Sequence, residues 1–138
     1  MSADIKRVVE LFLAERLTLL IPGHPFVPFT GGTATQDVEQ MEPPFTVISI
    51  ETAESTQTAH GVWICNGNLQ AITHSSETTT ESHGELVREI YAALGSIRPV
   101  ATPSLVFHGL DINKCSSAVD ESLQCRAGII GFSCGVGG

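Results

Sequence analysis

The sequence predicts an α/β (α+β) fold in which two helices pack on a mainly antiparallel sheet of about four strands. Two stretches repeat apolar residues at helical spacing, and four others are extended and rich in β-branched side chains. A chain of 138 residues with 42% hydrophobic residues suits a single packed core. We therefore expect one domain over residues 1–138, without internal repeats or a domain linker.

The first helix is predicted over residues 4–21, where Pro22-Gly23 ends it. At about 100° per residue, apolar side chains gather on one face and polar ones on the other. The apolar face has Ile5, Val8, Val9, Phe12, Leu13, Leu19 and Leu20, and the polar face has Lys6, Arg7, Glu10, Glu15 and Thr18. Leu11 and Leu17 lie off the apolar stripe, either as a second contact surface or as scattered exposed leucines.

A long irregular loop is predicted over residues 22–44, because this segment holds five of the seven prolines and Gly31-Gly32. Loops of this length in small domains are usually functional or mobile, and this one could become ordered only against a neighbour. The apolar, β-branched run from Phe45 to Glu51 lacks strict alternation, which predicts a central strand covered on both faces. A polar connection is expected over 52–60.

Two readings are open for the next extended segment. Asn66-Gly67 is a strong hairpin signal that would fold Val62–Cys65 back on Leu69–Ile72. The alternative is one long strand from Gly61 to His74, in which Gly67 marks a bulge or a close backbone approach. A family resemblance described below favours the long strand.

The second helix is predicted to begin at Ser82, because Ser82 and Glu85 form a capping box. Its apolar face has Leu86, Val87, Ile90, Tyr91, Ala93 and Leu94, and Gly95 supplies the C-terminal stop. A third strand is expected over Ser104–Leu110 and a fourth over Asp120–Phe132. The Gly-rich end at 135–138 is expected to be flexible and to fray.

The segment Gly131-Phe132-Ser133-Cys134-Gly135 matches the G-x-S-x-G nucleophile motif. That motif requires an acid and then a histidine later in the chain, and a helix directly after the serine. Only three residues follow Gly135. We therefore interpret Ser133 as a small strand residue and predict no catalytic residues.

Histidine and cysteine spacing predicts no metal or cofactor site. The five histidines, which show no i, i+4 ligand pair, are His24, His60, His74, His83 and His108. We expect them at the surface or at a helix start. The cysteines, which show no C-x-x-C pair, are Cys65, Cys115, Cys125 and Cys134. Four reduced thiols are favoured, although one or two bridges stay open. Trp63 is favoured as a core or sheet-face residue over an interface anchor.

The net charge of −8, with only seven Lys and Arg, argues against a protein that grips nucleic-acid phosphates. The longest apolar run, Leu17 to Ile21, is too short to span a membrane, and the first residues lack a secretory-signal pattern. These features predict a soluble protein that is not exported.

From Pro43 to Leu94 the chain resembles the tail terminator (tail completion, minor tail) proteins of long-tailed bacteriophages. The shared order is an N-terminal helix, a Pro-Pro-aromatic strand ending in Glu51, a polar insert, a long strand, the polar tract Ser75–Glu81, and a helix starting at Glu81-Ser82-His83. That family has one strand where this chain has Gly61 to His74. The last third of the chain fits only loosely, and the Pro22–Glu42 segment departs from the pattern.

The resemblance implies a structural virion protein that forms a homohexameric ring at the head-proximal end of the tail tube. Such a ring would end tube polymerisation and join the tail to the neck. Its partners would be other copies of itself, the tail tube protein and a neck (head-completion) protein, with genomic DNA passing through the lumen without sequence-specific binding. The protein would assemble in the host cytoplasm and lie in the virion tail, without a membrane, a cofactor or an active site. A closed ring needs two different complementary edges on each copy.

Two other functions stay open: another neck, head–tail joining or tail tube component of similar fold, and a small hydrolase that uses Ser133 or a histidine. For the ring, we hypothesise that a negative lumen lets DNA pass without adhering. The acidic residues considered for that lining are Glu51, Glu54, Glu77 and Glu81. The alternative is that these residues only keep the protein soluble.

Overall fold

The computed structural model describes residues 2–29, 44–55, 61–74, 79–103, 105–120 and 125–137. The elements in chain order are α1 (Ser2–Leu20), β1 (Phe26–Pro28), β2 (Phe45–Ser55), β3 (Val62–His74), α2 (Thr80–Gly95), β4 (Val100–Ala101), β5 (Val106–Asp120) and β6 (Cys125–Gly137). The predicted α+β class is confirmed, with two helices among the described residues. The predicted number of about four strands is wrong, because the described residues already form a sheet of six.

The six strands form one sheet in the order β1-β2-β3-β6-β5-β4. Every neighbouring pair is antiparallel except β1 and β2, which are parallel. The two strands that sequence reasoning missed are the edge strands. β1 lies inside the segment predicted as an irregular loop, of which residues 30–43 fall outside the described part of the chain. With three and two residues, β1 and β4 are too short to show a periodic pattern.

The remaining strands are longer than, or shifted from, their predicted bounds. β2 continues to Ser55, into the segment expected to be a polar connection, whose residues 56–60 lie outside the described part. β5 extends ten residues beyond Leu110, and β6 occupies residues 125–137 instead of 120–132. The expectation of a frayed end is wrong for Gly137, which pairs with Val62 on one side and Val106 on the other. Pairing on both sides overrides the low strand propensity of glycine.

The long-strand reading of residues 61–74 is confirmed, because β3 crosses Asn66-Gly67 without a turn. A β-bulge interrupts the register between Ile50 and Thr52, opposite Gly67. A Cβ atom added at Gly67 would lie 2.3 Å from the Ser49 carbonyl oxygen. Gly67 therefore permits the close backbone approach that sequence reasoning offered as one explanation of this glycine.

Both helices pack on the same face of the sheet. The Phe12 ring of α1 lies 4.9 Å from the Phe107 ring of β5. The fully buried large side chains of this core include Val9, Leu13, Leu17, Ile48, Leu69, Ile90, Leu94, Phe107, Ile130 and Phe132. Leu17 is thus in the core, whereas Leu19 and Leu20, predicted on the buried face, are 74% and 49% exposed. The buried stripe steps by four residues from Val9 through Leu13 to Leu17, and so passes Leu19 and Leu20 by.

The start of α2 differs from the predicted capping box. Thr79 is the N-cap, with φ of −71° and ψ of 162°, and its Oγ1 accepts a hydrogen bond from the Ser82 backbone N–H at 3.0 Å. Ser82 is therefore inside the first turn, and the predicted boundary is wrong by about one turn. The predicted end at Gly95 is confirmed. Of the predicted apolar face, Tyr91 is 44% exposed.

Candidate functional site: the helix-free face and the sheet edges

The face of the sheet opposite the two helices is predominantly polar near its centre. Side chains alternate across a strand, and the cross-strand register shows which of them share this face. In the described part of the chain no helix packs on it, and we call it the helix-free face. Its polar members include Ser49, Glu51, Thr52, Glu54, Asn66, Asn68, Gln70, His74, His108, Asp111, Asn113, Lys114, Ser116 and Ser133.

A row of hydrogen bonds crosses four strands on the helix-free face. Asn66 Nδ2 donates to Thr52 Oγ1 at 3.2 Å, Ser133 Oγ donates to Asn66 Oδ1, and Asn113 Nδ2 donates to Ser133 Oγ at 3.4 Å. These partners of Ser133 are amides and cannot act as a general base at neutral pH. In this arrangement Ser133 is hydrogen-bonded between two asparagine side chains. The sequence signal for this row is Asn66, a polar residue inside a strand whose neighbours are mostly apolar.

Charge on the helix-free face is mainly negative. Glu51 accepts a hydrogen bond from Asn68 Nδ2 at 2.7 Å, and Glu54 and Asp111 lie on the same face. Lys114 is the one Lys or Arg on the described part of this face. Of the acidic residues considered for a lumen, Glu81 instead lies in the first turn of α2, on the helix side, and Glu77 is outside the described residues.

Glu10 was predicted on the polar face of α1 and is instead completely buried. Its Oε2 accepts a hydrogen bond at 2.9 Å from the Ile50 backbone N–H, next to the bulge in β2. Along the same edge of β2, Thr46 N donates to the Pro25 carbonyl and Ile48 O accepts from the Phe29 N–H. Glu10 therefore satisfies the next edge donor of β2, beyond the end of β1. A bulge leaves no periodic pattern in the sequence, so the sequence did not indicate that Glu10 would bond the backbone of β2.

Two of the histidines, which were expected at the surface or at a helix start, are buried against threonines of the sheet. His83 does lie near the start of α2, whereas His24 is neither exposed nor at a helix start. His24 Nε2 lies 2.7 Å from Thr46 Oγ1, and His83 Nδ1 lies 2.7 Å from Thr73 Oγ1. Burial lowers the pKa of both histidines, with Glu89 partly opposing this for His24 and Arg126 adding to it for His83. Both rings are thus neutral at neutral pH. His24 joins the loop after α1 to one end of the sheet, and His83 joins α2 to the same end.

The four cysteines are in the reduced form, and two of them face each other. Cys65 of β3 and Cys134 of β6 are direct cross-strand partners, and both are buried in the core. The hydrogen bond with Cys65, together with burial, raises the pKa of the Cys134 thiol. Cys115 is exposed and Cys125 is half-buried. Trp63 is half-buried against the core, as its favoured reading predicted.

Among the described residues, no three His, Cys, Asp or Glu side chains are grouped closely enough to hold a metal ion. The same part of the chain contains no helix with the length and hydropathy needed to cross a membrane. His60 lies outside the described residues, and His108 is exposed on β5. On the helix-free face, Ser133, His108 and Asp111 line one open cavity. The hydrogen bonds of Ser133 go to Asn66 and Asn113, and none of the described hydrogen bonds joins Ser133 to His108.

No protein-family model matches the sequence, and no curated protein matches it either. Among solved structures, the chain is similar in fold to a chain from the "Virion of native gene transfer agent (GTA) particle", with a TM-score of 0.64. The identity is 13%, and the match covers 99% of this chain and 96% of that chain. The likeness extends over both chains nearly end to end, so the two share a fold.

Proposed function

We propose that this chain is a structural virion protein of a phage-like particle, and specifically a tail terminator that closes the head-proximal end of the tail tube as a hexameric ring. The observation that carries the proposal is the fold shared with a chain of a gene transfer agent virion over nearly the whole of both chains. The order of strand, polar insert, long strand and helix between Pro43 and Leu94 supports the finer assignment. A ring of this kind acts through its surfaces and needs no catalytic site.

The charge of the helix-free face supports a role around DNA. The described part of this face has three acidic residues, Glu51, Glu54 and Asp111, and one basic residue, Lys114. A channel lined by this face would repel phosphates and let DNA slide. Glu81 leaves the proposed lining because it lies on the helix side. A ring reconstruction by electron microscopy tests this lining directly. Glu51 and Glu54 should line the channel, and a basic channel wall would contradict the idea.

Mass photometry and negative-stain imaging of the purified protein test the ring itself. Six copies of the 14.7 kDa chain give a particle of about 88 kDa. Adding the protein to polymerising tail tube protein should shorten the tubes in proportion to its concentration. Long tubes formed by this chain alone would instead favour the alternative function as a tube component. Esterase activity that is lost on Ser133→Ala would overturn the structural assignment.

A further inference from the structure

We propose that neighbouring copies of this chain join edge to edge: the open edge of β5 pairs with β1 of the next copy, and β4 pairs with the open end of that copy's β2. The number of copies rests on the ring proposed above, whereas the pairing rests on the sheet alone. The occupant of each edge is therefore a second copy of this chain. Three properties of the edges support this pairing: where they are open, in which direction the strands run, and which backbone groups they offer.

Each long edge strand is covered along only part of its length. β5 pairs with β4 at Val106 and Phe107 only, so Leu110–Asp120 has no neighbour on that side among the described strands. β2 pairs with β1 only at residues 46–48, which leaves Glu51–Ser55 open. Unpaired strand edges are ready to accept another strand. The side chains of residues 113–117 are exposed, so no described element covers this stretch of β5.

The two short strands lie at opposite ends of the sheet. Following the register across the sheet, Phe26 of β1 is level with Ser117 of β5, and Pro28 is level with Cys115. β4 lies at the other end, where Phe107 is level with Ser55. When two copies stand side by side, β4 of one and β1 of the next therefore occupy a single column between β5 and β2 without overlapping.

Strand directions agree with this joint. β1, β2, β6 and β4 run one way, and β3 and β5 run the other way. In the shared column β4 and the neighbour's β1 therefore point in the same direction. The neighbour's β1 would be antiparallel to β5, and β4 would be parallel to the neighbour's β2. Both are ordinary ladder geometries.

Backbone groups in the column are accounted for as well. Because Pro25 O and Phe29 N bond to β2, alternation turns the backbone groups of Phe26 and Pro28 outward. Pro28 has no N–H, so the Phe26 N–H is the one donor that faces outward from β1, and β5 of the neighbouring copy would accept it. In the gap between the two short strands, Glu10 satisfies Ile50 N–H, and β5 has a bulge at the same level, between Ile112 and Lys114.

The contact is heterologous, since each copy uses a different edge on each side. Such contacts form a ring when the rotation between copies closes. A joint of three residues at β1 and two at β4 gives few hydrogen bonds, and each of them contributes only modestly to stability. Closure supplies the remaining stability, because every copy is then held at both edges.

Disulfide trapping tests the pairing. Val27 and Ser116 are level and lie on the same face, so Val27→Cys in one copy should meet Ser116→Cys in the next. Both variants are made with Cys115→Ser and Cys125→Ser, which remove the accessible native thiols. Copper-phenanthroline with dioxygen accepts the two electrons and two protons released as the S–S bond forms. An equimolar mixture should give cross-linked dimers, each single variant alone should give none, and the double variant should give a ladder up to the closed ring.

The matched control places cysteine at Asp111, which faces the same way but lies four paired positions from Ser116, about 13 Å along the strand. Asp111→Cys mixed with Val27→Cys should not cross-link. Dimers from Ser116→Cys alone would indicate β5 pairing with β5 and overturn the proposal. Cysteines at positions 114 and 118, two residues to either side of Ser116, allow for a shift in register. If electron microscopy shows rings and Val27→Cys cross-links to none of positions 114, 116 and 118, the edge pairing is refuted while the proposed ring stands. A protein that stays monomeric without cross-links would refute both.

Discussion

Replacing Glu10 by alanine should weaken the fold where α1 meets the bulge of β2. The change removes a completely buried acceptor and leaves the Ile50 N–H, which it bonds at 2.9 Å, without that partner. A buried donor left unsatisfied costs about 1–3 kcal/mol. With a urea m-value of about 2 kcal/mol per M for a domain of this size, a loss of about 2 kcal/mol lowers the unfolding midpoint by about 1 M.

Urea unfolding followed by circular dichroism measures that shift, and hydrogen exchange locates it. The Ile50 amide should exchange about 30-fold faster, since each 1.4 kcal/mol is about a factor of ten. Glu10→Gln is the matched control, because its side-chain carbonyl keeps an acceptor in the same place and should restore most of the midpoint. An alanine variant with an unchanged midpoint and unchanged exchange at Ile50 would refute the assignment of Glu10 as the cap of this edge.

Three further outcomes are expected. Gly67→Ala should destabilise the protein by about 1–3 kcal/mol in urea unfolding, because its Cβ would lie 2.3 Å from a backbone oxygen of β2. Gly84→Ala, which meets nothing within 4 Å and lies in α2, should be neutral or stabilise by up to about 1 kcal/mol; equal effects at the two sites would contradict the packing argument. Burial lowers the pKa of His24 and His83 in the native protein. Below the pKa of about 6.5 of an unfolded histidine, the unfolded chain therefore binds more protons than the native protein. The contribution of the two histidines to stability should be full above that pH and should fall as the pH drops towards the lowered native values. A double change to glutamine should flatten that part of the pH profile, and an unchanged slope would show that other groups cause it. A thiol reagent should modify Cys115 at once in the native protein and the buried pair only after unfolding, which absorbance of the released reagent would check.

Strong local patterns predicted the elements, and tertiary contacts decided their ends. β3 was predictable as one strand only through the family resemblance, because apolar residues on both sides of Asn66-Gly67 fit a hairpin as well as a long strand. In the structure, neighbouring strands on both sides keep β3 extended there. The start of α2 was not predictable, because the tract from Ser75 to Ser82 offers several hydroxyl side chains that could cap a helix. Thr79 takes that place in the structure, where Thr73 of β3 also holds His83.

The proposed interface depends on features that side-chain patterns do not record. β1 and β4 are only three and two residues long, yet their staggered positions determine which parts of the two sheet edges stay open. β5 continues through the polar run after Leu110 because β6 pairs with it along its whole length. At the proposed interface, the recognition groups are backbone N–H and C=O, which nearly every residue carries. The sequence can therefore predict the sheet without predicting the joint, since the joint arises from the order and level of the strands.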